Sequence, residues 1–307
     1  MTKYERGLIT LLFILALFAS FFFVENYNLK KELSKKINII EEEINKENLK
    51  KIAELKNKIN NLSLEAKAIS IYDITKKEKI YGKNDDVVLP LASLAKTMTI
   101  ISVLNDNYEG EVMISPNAIK ESGDYGLYKN EKWKITDLAK FSLILSSNDG
   151  ALALSSYDKD FLNKINNKAG EIGMKNTFFS NSTGLDINKE KAGAYGTSLD
   201  ANTLAIYALK TYPEIFEATT MSNVTLKSLS DFTHKIKNTN TMASKIPNLL
   251  FSKTGFTELA GGNLSIIFKD KEGHEIAVTV LGSSVLGRFT DVEKLVNVIY
   301  NENNNIQ

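Results

Sequence analysis

Leu89-Pro90-Leu91-Ala92-Ser93-Leu94-Ala95-Lys96-Thr97-Met98 is the stretch whose reading decides the fold. From Leu94 to Leu104 the chain is apolar on nearly every side: Leu94, Ala95, Met98, Ile100, Ile101, Val103 and Leu104 predict a helix buried from all directions. A proline turn leads into it, and its polar groups sit at its mouth, Ser93, Lys96 and Thr97. Residues three apart on a helix share a face, so Lys96 reaches the Ser93 hydroxyl. The helix N-terminus favours negative charge, which suits an oxyanion forming there. To act as a base, Lys96 must lose its proton near neutral pH, against an ordinary pKa of about 10.4. Desolvation and a second nearby cation both push that way.

Two further strings supply what this pair lacks. Ser146-Ser147-Asn148 closes the apolar run Phe141–Leu145, and Lys253-Thr254-Gly255 closes a predicted strand. Read alone, the first is a helix cap or turn and the second a strand ending in a glycine. Read with Ser93 and Lys96, they complete a set for acyl transfer without histidine or metal. Ser146 relays a proton to a leaving amine, and Asn148 holds a substrate amide with its two-sided hydrogen-bonding group. Lys253, itself the second cation, joins Thr254 in holding a substrate carboxylate. Gly255 leaves room for a substrate backbone against the strand edge. A second Ser-x-x-Lys, Ser156-Tyr157-Asp158-Lys159, has polar surroundings and reads as a surface segment.

Composition narrows the classes. The chain has 307 residues, a formal net charge of +1 and no cysteine. The balance gives no electrostatic footprint for nucleic acid. Without cysteine there is no disulfide, thiolate zinc site or thiol nucleophile. His234 and His274 are the only histidines, so a metal centre has little to build on, and no cofactor is expected.

The N-terminal run Gly7–Val24 carries no charge and is just long enough to span a bilayer core of about 30 Å as a helix. Residues 1–27 are read as an uncleaved anchor. The rival, a removable signal peptide, fits poorly, because Leu17 occupies a position where cleavage behind Ala19 wants a small residue. Residues 28–64 carry Leu29, Leu33, Ile37, Ile40, Ile44, Ile52, Leu55, Ile59 and Leu62 at three- and four-residue steps, without Pro or Gly. This predicts a long amphipathic helix, about 50 Å at 1.5 Å per residue: a coiled-coil stalk able to pair two chains, or a single helix lying on its own domain.

A globular domain follows over 65–300, with a loose Asn-rich tail at 301–307. Ala68–Asp73 and Glu78–Gly82 read as a strand pair, the middle from Ser93 to about Thr220 as mostly helical, and Leu249–Lys253, Gly262–Lys269 and Glu275–Ser283 as three more strands. Asp291–Tyr300 reads as a closing helix. The expected class is α+β: an antiparallel sheet of about five strands, assembled from the two ends of the domain, with a helical subdomain between.

Taken together and in order, the three strings resemble those of the serine D-alanyl-D-alanine carboxypeptidases, the low-molecular-mass penicillin-binding proteins of β-lactamase-like fold. Pro90–Thr99 is similar to that family's nucleophile segment. Ile172–Phe178 and Asn181–Asp186 resemble its stretch after the second motif, and Asn238-Thr239-Asn240 with Lys253–Thr257 and Ala260-Gly261-Gly262 the run through the third. The resemblance implies that Ser93 is acylated by the penultimate D-Ala of a peptidoglycan stem peptide or by a β-lactam, with Lys96 as its base. It further implies that Ser146, Asn148, Lys253 and Thr254 line the cleft and that main-chain N–H groups of Ser93 and Phe256 hold the oxyanion. It implies a catalytic domain outside the cytoplasm. The excess of Lys30, Lys31, Lys35 and Lys36 behind the span points the other way under the positive-inside bias; large following domains cross regardless of flanking charge, and the chemistry decides. Many members carry a second, all-β domain and a C-terminal anchor; here the anchor and stalk stand in front. Ser252 stands where a glycine or small apolar residue is more familiar. The motifs fit carboxypeptidase and endopeptidase alike. A β-lactamase shares the fold and motifs, but its class A form needs a Glu-x-x-Leu-Asn setting, which is missing; an inert membrane-tethered scaffold is the other alternative, and an α/β-hydrolase lacks its Gly-x-Ser-x-Gly elbow.

Overall fold

The computed structural model describes residues 3–123 and 125–301. It divides into two compact units, 1–54 and 55–307. The first is carried by helix α1 (Lys3–Asn60), which exposes Phe13, Phe18, Phe21, Phe22 and Phe23 and, farther on, Leu29, Leu33, Ile37, Ile40 and Ile44. It is the one helix among the described residues long and apolar enough to cross a membrane, with an 18-residue window of mean hydropathy 1.6. Past Asn301, the expected tail lies outside the described residues.

The second unit is built on one antiparallel sheet. Its strands are β1 (Ala68–Asp73), β2 (Glu78–Lys83), β3 (Leu249–Thr257), β4 (Gly261–Lys269) and β5 (Glu275–Ser283), in the order β3-β4-β5-β1-β2. The two ends of the domain meet in the middle, where Ile71 pairs with Val278 and Ala68 with Leu281. Alternation along the strands sends side chains to opposite faces, and here both faces are covered. Ile69, Ile71, Ile266, Val278 and Val280 pack against Val292, Leu295 and Ile299 of helix α8 (Gly287–Asn301). Leu55 and Ile59, from the end of α1, join the same cluster, so packing of the compact body begins at Leu55. The opposite face, with Ala68, Phe251, Ile267, Ala277 and Leu281, meets the helical layer.

That layer holds α2 (Ala95–Asn107), α3 (Ile135–Ile144), α4 (Asn148–Ser155), α5 (Phe161–Glu171), α6 (Ser198–Thr211) and the short α7 (Pro213–Phe216). α2 is the buried helix expected: Ala95, Met98, Ile100, Ile101 and Val103 are wholly enclosed. The expected boundaries shift in one consequential place. Lys253-Thr254-Gly255 does not close its strand but lies inside it, because β3 continues through Phe256 and Thr257 before turning into β4. Two ribbons escape the sequence pattern, Glu111–Met113 with Lys132–Lys134 inside the middle region and Asn223–Lys227 with Thr233–Lys237 just after it. Their alternate residues are mostly Lys, Thr, Glu and Asn, and the apolar signal over three to five residues is too short to register. The ribbons are clamped together: the Leu229 N–H donates to the Lys132 carbonyl at 2.8 Å, and buried Glu131 meets His234 Nε2 at 2.7 Å.

Candidate active site

The site forms where α2, the α3–α4 junction and β3 converge. Ser93 sits in a single 3-10 turn, Ala92–Leu94, that feeds directly into α2. Ala92 adopts φ +49°, a left-handed conformation rare for a residue with a side chain. The turn is pressed between two glycines. A Cβ added to Gly184, whose φ is +79°, would lie 2.0 Å from the Ala92 carbonyl oxygen. One added to Gly255 would lie 2.9 Å from the Leu91 carbonyl oxygen and 3.3 Å from the Ala92 Cβ. Gly255 therefore lets β3 approach the nucleophile turn itself, a different reason for the glycine than room for substrate. The turn is also fastened at its start: the Leu91 N–H donates to Ala194 O at 2.9 Å and Asn263 Nδ2 to Pro90 O at 3.0 Å.

Lys96, fully enclosed, directs Nζ to three acceptors: Ser93 Oγ at 2.8 Å, Asn148 Oδ1 at 2.6 Å and the Thr183 carbonyl oxygen at 2.8 Å. Asn148 Nδ2 donates to the Ser122 carbonyl and to the Tyr125 hydroxyl, which fixes its amide with the oxygen toward the lysine. An ammonium spends three N–H groups on these acceptors. A neutral amine has two; the Asn148 and Thr183 oxygens have no proton to offer and take both, leaving the lone pair for the Ser93 hydroxyl. Burial lowers the Lys96 pKa to about 7, against a partial upward pull from Glu121 and Asp149.

Ser146 and Asn148 straddle the short link between α3 and α4. Ser146 takes φ +60°, and Ser147 caps α4 by accepting the Gly150 N–H at 2.9 Å. The cap and the site are thus both present in one tripeptide: the middle residue serves the helix and the outer two face the lysines. Lys253 Nζ donates to Ser146 Oγ and to the Thr254 carbonyl, each at 2.8 Å. Its pKa lies well below the ordinary lysine value, first through burial, then through repulsion from Lys96 and Arg288. Thr254 Oγ1 shares a 2.6 Å hydrogen bond with Thr239 Oγ1, and Phe256 keeps its ring partly in solvent. Ser252 is buried with its hydroxyl on the Thr219 carbonyl, so the unusual residue before Lys253 is satisfied within the scaffold. Ser156 and Lys159, the other Ser-x-x-Lys, are both exposed, as expected.

Ser93, Lys96 and Asn148 thus form one hydrogen-bonded centre, and Ser146 with Lys253 another, within electrostatic range of the first. Sequence reading missed five participants. Thr183 acts through its carbonyl, which has no side-chain signature. Ser122 and Tyr125 lie on a loop with no motif, and Thr239 was visible only as part of a resembling string. Arg288, on α8, donates to the Gly255 carbonyl at 2.7 Å, while its buried Nε has no partner among the described residues. A cation on a closing helix gives no hint in sequence that it reaches across to β3.

The family profile described as D-alanyl-D-alanine carboxypeptidase matches residues 53–284, well over half of the chain. The chain belongs to this family of serine peptidases. Among relatives of known activity, it is 27% identical over 252 residues to the D-alanyl-D-alanine carboxypeptidase DacF of Bacillus subtilis, covering 78% of this chain and 64% of the relative. It is 30% identical over 201 residues to the D-alanyl-D-alanine endopeptidase of Escherichia coli, covering 62% of this chain and 63% of that one. The chain therefore spans somewhat under two thirds of the length of these two relatives. Among solved structures, penicillin-binding protein D2 of Listeria monocytogenes in its cefotaxime-bound form superposes with TM-score 0.68 and 31% identity, over 78% of this chain and 99% of that one. A variant of the Streptomyces K15 DD-transpeptidase shares the fold at 23% identity and TM-score 0.69.

Proposed function

We propose that this chain is a membrane-anchored serine DD-peptidase that removes the terminal D-Ala of peptidoglycan stem peptides and is acylated by β-lactams. One observation carries the reading: the enclosed Lys96 Nζ lies 2.8 Å from Ser93 Oγ while its other two directions meet the Asn148 and Thr183 oxygens. In this mechanism the Ser93 oxygen attacks the penultimate D-Ala carbonyl while its proton passes to Lys96. Main-chain N–H groups of Ser93 and Phe256 hold the oxyanion, each worth about 3–4 kcal/mol. The C–N bond then breaks as the Ser146 hydroxyl, backed by the Lys253 cation, hands its proton to the departing amine and takes in exchange the proton that Lys96 drew from Ser93, which leaves Lys96 neutral again. Lys253, Thr254 and the cation of Arg288 hold the terminal carboxylate, and Asn148 the substrate amide. Water, deprotonated by Lys96, releases the shortened peptide and restores Ser93. No metal or cofactor enters.

Residues 1–27 are the anchor, with 7–24 spanning the membrane, 28–64 the stalk and 65–300 the catalytic domain, displayed outside the cytoplasm. The exposed stripe Leu29, Leu33, Ile37, Ile40 and Ile44 supports pairing of two chains through the stalk. Endopeptidase cleavage of cross-linked peptides is a second reading, favoured by the endopeptidase relatives at 30% identity. The test is covalent labelling of the detergent-solubilised full chain by a fluorescent penicillin, abolished in Ser93→Ala. Absence of label where a related enzyme labels overturns the proposal, and rapid turnover of the antibiotic would mark a β-lactamase. Release of D-Ala from a D-Ala-D-Ala peptide, against cleavage of a cross-linked dimer, separates the two peptidase readings.

A further inference from the structure

The third acceptor of Lys96 belongs to no motif that carries chemistry, and its support is unusually complete. The Thr183 carbonyl lies in a tight turn, 181–185, wound around one side chain. Asn181 Oδ1 accepts the Gly184 N–H at 2.7 Å, the Thr183 N–H at 3.2 Å and the Thr183 hydroxyl at 3.3 Å, and Asn181 Nδ2 donates to the Leu185 carbonyl at 2.9 Å. One amide thus engages three consecutive residues, the first of which carries the carbonyl facing Lys96. Room for that amide is itself provided: a Cβ on Gly193 would lie 2.4 Å from Asn181 Nδ2 and 2.6 Å from Oδ1. The turn is then pinned on both flanks. Thr99 Oγ1, one turn along α2 from Lys96, donates to the Ser182 carbonyl at 2.7 Å, and Gly184 lies against Ala92 beside the nucleophile.

We propose that Asn181 is a positioning residue for the general base. By fixing the Thr183 carbonyl it claims one of the two N–H groups of neutral Lys96, and so directs the lone pair to Ser93. The inference rests on the reading of Lys96 as the base. A side chain that only stabilised the turn would change how much enzyme is folded, not how each folded molecule reacts. Loss of the Asn181 clamp instead alters two things at once. The amine gains freedom to rotate, so acylation at high pH slows; an error of about an ångström in a reacting geometry costs on the order of a hundredfold. The ammonium, which donates to all three acceptors, loses more than the neutral amine does, so the acid limb of the pH profile moves to lower pH.

The test uses the full chain in detergent, the fluorescent penicillin as probe, and second-order acylation constants from pH 5 to 9. Each constant is normalised to the fraction of molecules that label at saturation. Asn181→Ala is expected to lose ten- to a hundredfold of the plateau rate and to shift its acid limb downward. Asn181→Asp keeps the acceptor for the Thr183 and Gly184 N–H groups and is expected to recover most of the rate. If Asn181→Ala does not fold, Thr99→Val, which frees the same turn at Ser182, takes its place with the same expected signature. A normalised rate and pH profile equal to wild type in the variant that folds overturns the proposal, as does an Asn181→Asp variant no faster than Asn181→Ala. A wild-type chain that fails to label refutes the base assignment itself and is thereby told apart from failure of the Asn181 role.

Discussion

Acylation of Ser93 should follow a single ionisation with its midpoint at about pH 7 and a slope of one proton. Only neutral Lys96 can take the Ser93 proton. With its pKa lowered to about 7, about half of the molecules are competent at pH 7, about 10% at pH 6 and about 1% at pH 5. An exposed lysine at about 10.4 would leave fewer than about one molecule in a thousand competent at pH 7, so enclosure raises the reactive population by about a thousandfold. The assay is the second-order rate of labelling by a fluorescent penicillin whose own charge does not change over pH 5 to 9. The rate should climb tenfold per unit up to about pH 6.5 and flatten above 8. Glu121→Gln extends the test. The Glu121 carboxylate pulls the Lys96 pKa upward, so its amide should move the acid limb to lower pH and leave more activity at pH 5 to 6. A profile flat across the range, or a limb that moves upward in Glu121→Gln, would refute a neutral lysine as the base.

Three further outcomes follow from the same geometry. The folded state sheds the Lys96 proton near pH 7 whereas the unfolded chain holds it to about 10.5, so between these values the unfolded state binds more protons and stability rises with pH, by up to about 5 kcal/mol from this group; denaturant titrations of wild type against Lys96→Met from pH 7 to 10 should show the gap shifting in favour of wild type. Gly184→Ala forces a side chain into a left-handed backbone and against the Ala92 carbonyl, and should cost at least about 3 kcal/mol and abolish labelling, read by thermal melts and active-site titration. Glu131→Ala leaves the buried His234 Nε2 without its carboxylate partner and should destabilise the domain by about 1–3 kcal/mol, with the acylation rate per folded molecule kept, since the pair lies on the clamped ribbons rather than among the Lys96 contacts.

The fold was legible wherever a pattern was long enough to be self-consistent. The buried helix after Ser93, the outer strand pair and the three closing strands all show continuous apolar runs or clear turns, and the structure places them at 95–107, 68–83 and 249–283. The short ribbons were not legible, because three residues such as Lys132-Trp133-Lys134 carry one inward side chain and no period. Within the site, what sequence marked were side chains with chemistry: Ser93, Lys96, Ser146, Asn148 and Lys253. What it could not mark were carbonyls and approaches. Thr183 contributes an oxygen that every residue has. Gly255 was read as space for a ligand, whereas its missing Cβ faces Leu91 and Ala92. Residues with special backbone, Ala92 and Ser146 in the left-handed region, look ordinary in a string; their strain, of about 1–3 kcal/mol each, is held by the packing around them.

That strain has a counterpart in charge. Lys96, Lys253 and Arg288 are drawn into one partly or wholly enclosed region, each with its pKa lowered by burial, and among the described residues no ion pair joins any of them to a carboxylate. An unpaired buried cation is ordinarily among the costliest features a core can carry. Here the burden is eased in two ways: Lys96 sits at the edge of neutrality, and Lys253 and Arg288 are held on oxygens, Ser146 Oγ, Thr254 O and Gly255 O. In the proposed reaction an incoming terminal carboxylate would supply the missing anion, and would stabilise the folded domain by the same interactions through which it binds. Burial, against the upward pull of Glu121 and Asp149, brings the Lys96 amine to half-neutrality at about pH 7, so it is ready for the Ser93 proton before any carboxylate is seated.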